Sequence, residues 1–216
     1  MKNIAIYVEG GGNTVQQRAE LRMGFDRLLK PQKDAAGKRR LSLKIVFCGS
    51  RNRTYEAFIS SFRQAANDTL AVLLVDAEKP LPPELLGNEL QNAQARCDHL
   101  ARCDSWDLND IPPEQIHLMV QCMEAWIVAD PDALSAFYGK NFHRNVLPNR
   151  LHLEEEPKAD LATKLTDATR GCQKGKYEKI KHASKLLAII DTTKVAQRCP
   201  RFKTFTAWLT EQIEAC

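Results

Sequence analysis

The sequence predicts an α/β protein, with a mainly parallel central sheet flanked by helices and a helical C-terminal region. Short apolar runs at 3–8, 42–48 and 70–75 alternate with stretches of helical spacing, the pattern of parallel strands joined by right-handed crossovers. The first run is apolar on both faces, as in a strand covered by helices on either side. Beyond Tyr138 the pattern turns helical and polar. At 216 residues the chain suits a single domain over 1–216 with embellishments.

In the first run Ile4, Ile6 and Val8 alternate with Ala5 and Tyr7, and the run ends in Glu9 followed by Gly10, Gly11 and Gly12. The glycines can take positive φ, and Asn13 or Thr14 can cap a helix carrying Val15, Ala19, Leu21, Met23, Phe25, Leu28 and Leu29. The second run, Ser42 to Cys48, precedes a helix through Tyr55, Phe58, Ile59, Phe62, Ala65 and Ala66. The third, Leu70 to Val75, is followed by a proline-rich connection (Pro80, Pro82, Pro83, Pro112, Pro113) that reads as an inserted segment at about 79–115. A fourth strand near His117 to Val120 leads into a helix through Cys122, Met123, Trp126 and Ile127. Asp130-Pro131 interrupts that helix, and a short one follows to about Tyr138. Pro157 suits a first helical turn and Gly171 a C-terminal cap, and helices over Ala183 to Ile190 and Phe202 to Ile213 complete an extension at about 150–216.

An apolar fraction of 44% and a charged fraction of 27% are ordinary for a globular protein. The longest apolar runs are too short to span a bilayer, and no secretion signal is evident, so the expectation is a cytoplasmic protein. Seven scattered cysteines without a CxxC pair read as free thiols. Cys97, His99 and Cys103 could supply three zinc ligands, but no fourth is evident and the spacing fits no standard knuckle. The net charge of +4 is concentrated, since Arg170, Lys174, Lys176, Lys179 and Lys181 stand against Glu178 alone. That stretch is either a solvated lysine-rich face or a patch that attracts polyanions.

The third run ends Val75-Asp76-Ala77-Glu78. Residues two apart on a strand point to the same side, so Asp76 and Glu78 converge. Strand ends in a parallel sheet meet over one crevice, which brings Glu9 beside them. Three crowded carboxylates call for a divalent cation, and an all-oxygen ligand set favours magnesium or manganese. The glycine run offers backbone amides to a phosphate, although neither Gly-Lys-Ser/Thr nor GxGxxG is present. Arg51, leaving the second strand in Gly49-Ser50-Arg51-Asn52, either holds a phosphate or marks a helix entry. Glu124, an acid among apolar residues, is either a structural salt-bridge partner or a part of the site.

Five blocks together carry a resemblance. They are Val8-Glu9-Gly10-Gly11-Gly12, Cys48-Gly49-Ser50-Arg51-Asn52, Leu74-Val75-Asp76-Ala77-Glu78, the run from His117 to Trp126, and Gly171-x2-Lys174-Gly175-x-Tyr177-x-Lys179. In this order they resemble the TOPRIM domain of topoisomerases, primases and overcoming-lysogenization-defect nucleases. More closely, they are similar to small stand-alone bacterial TOPRIM-like proteins found beside ATPases in defence loci. The resemblance implies a TOPRIM-like Rossmannoid fold and a magnesium- or manganese-dependent nuclease cutting DNA or RNA, an anti-phage effector with an ATPase partner and a possible homodimer. It implies Glu9 as acid/base or ligand, Asp76 and Glu78 as metal ligands, and Lys174 as the cation that stabilises the transferring phosphate; Glu124, from its own apolar setting, is a further candidate metal ligand. His182 is a candidate phosphate contact. Glu78 stands where the motif usually has aspartate. The alternative is a non-catalytic TOPRIM-derived subunit regulated by the ATPase.

Overall fold

In a computed structural model of the chain, the structure describes residues 2–64, 68–79 and 89–216. Ala65, Ala66 and the prolines at 80, 82 and 83, used above, lie outside the described residues. Four strands, β1 (Asn3–Val8), β2 (Ser42–Phe47), β3 (Thr69–Asp76) and β4 (Ile116–Met119), form one sheet in the order β2-β1-β3-β4, and every pairing is parallel. The α/β class is therefore correct, and each strand lies within a residue or so of its apolar run.

Between and after the strands come α1 (Val15–Leu28), α2 (Lys30–Lys38), α3 (Arg51–Gln64), α4 (Glu89–Asp104), α5 (Glu124–Val128), α6 (Pro131–Tyr138), α7 (Lys158–Thr169), α8 (Lys179–Leu187), α9 (Thr192–Arg198) and α10 (Pro200–Glu214). Thr14 caps α1 in a reciprocal capping box with Gln17. Asp130 caps α6, with Pro131 as its first residue. Pro157 stands one position before α7 rather than within its first turn. The segment at 79–115 contains α4 and a 3-10 turn over Pro113–Gln115.

The pleat divides the core between the two faces of the sheet. Val72 and Leu74 join Ile4, Ile6, Val8, Phe25 and Trp126 on one side. Ala71, Leu73 and Val75 join Phe58, Leu100 and Trp106 on the other. Phe202, Phe205, Leu209 and Ile213 of α10 belong to the first cluster, and Phe202 meets Trp126 edge-on at 4.9 Å. The C-terminal helices thus build the main core. Gly24 of α1 lets α8 approach closely, since a Cβ there would lie 2.6 Å from the Ser184 carbonyl oxygen. Among the described residues no helix is long and apolar enough to cross a membrane. All seven cysteines are free.

Candidate metal centre

The register brings the carboxyl ends of β1, β2 and β3 level, with Val8 opposite both Phe47 and Leu74. The chain leaving β1 is pinned on either side, Glu9 N donating to Leu74 O at 3.3 Å and Gly10 N to Gly49 O at 3.0 Å. Gly10, Gly11 and Gly12 have φ of 107°, 90° and 69°, and a Cβ on Gly11 would press to 3.2 Å from the Arg18 Cα. Glycine is required there by backbone conformation and by space. The amides of Asn13 and Thr14 donate to the Gln17 side chain, at 3.0 and 3.2 Å, and Gln17 N donates to Thr14 Oγ1 at 3.1 Å. These amides at the entry to α1 are therefore already paired. A small cavity of about 80 Å³ separates Gly10 to Gly12 from Lys179 and Ile180.

Asp76 is the last residue of β3 and is 3% exposed. Its Oδ1 accepts from Met123 N at 3.0 Å, fixing the entry to α5. Glu78 lies beyond the strand, in the left-handed region at φ 64°, with its N–H donating to Gln121 O at 3.0 Å. Glu78 thus reaches Asp76 through a turn held by the chain after β4, not through the strand pleat that predicted the pairing. Carboxylate oxygens of Glu9, Asp76 and Glu78 lie within 4.8 Å of one another, and they form the one such metal-competent group among the described residues. Of the suggested zinc residues, His99 contacts the Ala77 carbonyl at 3.1 Å and Cys103 Sγ at 3.9 Å.

Cations interleave with these acids. Arg51, the first residue of α3, grips Asp104 in bidentate fashion at 2.7 and 2.8 Å, and its Nη1 donates to Glu9 Oε2 at 2.8 Å and to the Asp76 carbonyl at 2.6 Å. It is a clamp on Glu9, with its donors directed at protein rather than held free for a phosphate. Lys158, the first residue of α7, sits 3.5 Å from Asp76 Oδ2 and contacts Glu78 Oε1 at 2.5 Å. Lys179, the first residue of α8, lies 3.6 Å from Asp76 Oδ2 and 3.5 Å from Glu124 Oε2. Glu124 opens α5 and is 6% exposed; the Tyr177 hydroxyl donates to its Oε1 at 3.1 Å. Glu124 therefore adjoins the cluster through Lys179.

Two sequence candidates make their contacts outside the three carboxylates. Lys174 is exposed, with its ammonium 5.2 Å from the Phe137 ring centroid. His182 is buried against Phe137, Tyr138 and Tyr177, and its Nδ1 accepts from Glu178 N at 3.1 Å. Burial, aided by the nearby charges of Lys181 and Lys185, holds its pKa below the ordinary histidine value. Lys158, Lys179, Asp104 and Tyr177 were not singled out from sequence as individual site residues. Lys179 stood within the basic stretch that sequence had noticed.

Burial is the main cause of an Asp76 pKa pushed up to about 6; Lys179 and Lys158 oppose it, while Glu124 and Glu9 add to it. The same acids raise the pKa of Lys179 despite its own desolvation. Across the network, Glu9, Asp76, Glu78, Asp104 and Glu124 face Arg51, Lys158 and Lys179. Two negative charges are left over, and hard oxygen donors carry them, which suits one magnesium or manganese ion. A cavity of about 850 Å³ lies apart from this chemistry, between α4, β4 and α10, lined by His117, Lys203 and Trp208 among others.

Fold and site together define a parallel α/β protein whose sheet gathers carboxylates at its carboxyl edge. The chain belongs to the family described as domain of unknown function DUF4276, which it matches over residues 7–210. That span includes every residue of the acidic cluster and its cations. No curated protein and no solved structure matches the chain.

Proposed function

We propose that the protein is a TOPRIM-like, divalent-metal-dependent nuclease that hydrolyses phosphodiester bonds in DNA or RNA. The observation that supports this best is the convergence of Glu9, Asp76 and Glu78 within 4.8 Å at the carboxyl edge of a parallel sheet. These three would hold magnesium or manganese, which supplies a Lewis acid for the phosphate and an activated water. Arg51 orients the Glu9 carboxylate, leaving one oxygen available either to ligate the metal or to take a proton from the attacking water. Lys179, fixed between Asp76 and Glu124, carries the positive charge at the site that sequence had sought in Lys174, and offsets charge developing on the phosphate. The reading as a defence effector working beside an ATPase rests on the TOPRIM resemblance.

The test is cleavage of single- and double-stranded DNA and RNA with magnesium or manganese. Glu9→Gln and Asp76→Asn are each expected to lower the rate by about a hundredfold or more. Cleavage that survives both substitutions undiminished removes the site assignment. One observation favours the second reading, a non-catalytic subunit: each acid of the cluster already touches a cation of the chain itself. Copurification with an ATPase and no scission by the assembled complex would select it.

A further inference from the structure

The two lysines at the acidic cluster are not equivalent. Lys179 and Lys158 both approach Asp76 Oδ2, at 3.6 and 3.5 Å, so two ammonium groups share one oxygen and repel each other. Lys179 leans to the far side, onto Glu124. Lys158 instead bridges Asp76 and Glu78, two of the three carboxylates that would hold a metal. Arg51 cannot yield readily, because four hydrogen bonds hold its guanidinium.

Resting on the metal reading above, we infer that Lys158 is the chain's own occupant of the metal position, displaced when a divalent cation binds and then free to pair with a substrate phosphate. Coordination by Asp76 and Glu78 at about 2.1 Å, the distance magnesium requires, leaves no room for an ammonium on the same pair of oxygens, and like charge adds to the exclusion. The side chain is built to leave. It is 35% exposed, on the first residue of α7. The Lys158 backbone N–H donates to Gln121 Oε1 at 3.2 Å, so the helix stays docked while four methylenes swing. Before metal arrives, Lys158 offsets the repulsion between Asp76 and Glu78. Afterwards the metal takes over that task, and the released ammonium lies at the mouth of the site where an anionic substrate enters.

The experiment is calorimetric titration of the full chain with manganese alone, followed by binding of a labelled oligonucleotide in calcium to suppress turnover. Lys158→Met is expected to bind manganese at least fivefold more tightly than wild type, and to bind the oligonucleotide at least threefold more weakly. Lys158→Arg, whose planar fork fits two carboxylates better, is expected to weaken manganese binding. Lys176→Met removes an exposed lysine of the basic stretch, and a change below twofold in manganese affinity there shows that the Lys158 effect on manganese is local. Wild-type binding of manganese that Lys158→Met leaves unchanged, weakens, or raises no more than Lys176→Met overturns this inference while the metal site stands. Tighter manganese with undiminished oligonucleotide binding overturns the phosphate role. No manganese binding by wild type or any variant overturns both this inference and the metal reading.

Discussion

Asp76 and Asp130 are equally buried, each 3% exposed, yet the protein treats them in opposite ways. Asp130 is supplied with donors: Ala133 N at 3.2 Å, Asp191 N at 2.9 Å and the Lys194 ammonium at 2.9 Å. Burial alone would raise its pKa, but Lys194 and the two amides outweigh that and hold it below the usual carboxylate value. Asp76 receives one amide, from Met123, and two ammonium groups at long range, while Glu9, Glu78 and Glu124 crowd around it. Its pKa moves up to about 6. Protein surrounds Asp76 more completely than Asp130, but solvent exposure alone does not distinguish a structural acid from a candidate functional one. The match between donors and charge does, because a carboxylate that the fold has under-supplied is one that a cation can still gain by binding.

The sharpest way to break this contrast is to neutralise each aspartate in turn. Asp130→Asn replaces an acceptor oxygen with a donor facing an N–H or an ammonium, and is expected to cost about 3 kcal/mol of folding stability. Asp76→Asn keeps an oxygen for Met123 N and relieves repulsion from the neighbouring acids, so its cost should stay within about 1 kcal/mol. Thermal unfolding with and without manganese separates the two. Asp130→Asn should melt lower yet keep any rise that manganese confers on wild type, whereas Asp76→Asn should melt near wild type and lose that rise. Equal destabilisation by both would end the distinction.

Arg51→Lys should have a smaller effect. A lysine cannot reproduce the two-pronged grip on Asp104 while also reaching Glu9 and the Asp76 carbonyl. A loss of about 1–2 kcal/mol in urea unfolding is expected, together with weaker manganese binding as Glu9 loses its orientation. Unchanged metal affinity would show that Glu9 holds its position without the clamp.

The legible part of the site is the part carried by strand ends. Glu9 and Asp76 could be placed together because apolar runs mark where strands finish and a parallel sheet aligns those ends. Glu78 was found for an incomplete reason, since a left-handed turn held by Gln121, rather than the pleat, brings it in. The cations were harder to see because helix-borne lysines are abundant in this chain and their partners lie 80 residues or more distant in sequence for Lys158. Lys179 was noticed as charge, but Lys174 was preferred on resemblance, and only the packing of α8 against α1 and α5 separates them. Asp104 fell in a segment that proline content marked as an excursion. Among the helices, α2 begins with Lys30-Pro31 directly after α1, where proline reads as a stop, and α9 has only 7 residues, too few to show a period.

A half-buried carboxylate extends the comparison. Glu154 accepts from Arg201 N at 2.6 Å at the start of α10. Burial lifts its pKa to about 7; the amides of Arg201 and Phe202 and the Arg201 charge oppose this without cancelling it. Because the folded-state value lies above the unfolded one, near 4.5, the folded protein binds more protons between those limits. Stability is greatest below about pH 4.5 for this group and declines as pH rises towards 7. Glu154→Gln removes the cost of a half-buried charge while retaining an oxygen for Arg201 N. It should therefore stabilise the protein by about 1 kcal/mol at pH 8, with the gain shrinking as the pH is lowered to 5 in matched urea titrations. A gain that is the same at both pH values would mean that Glu154, like Asp130, is already adequately supplied.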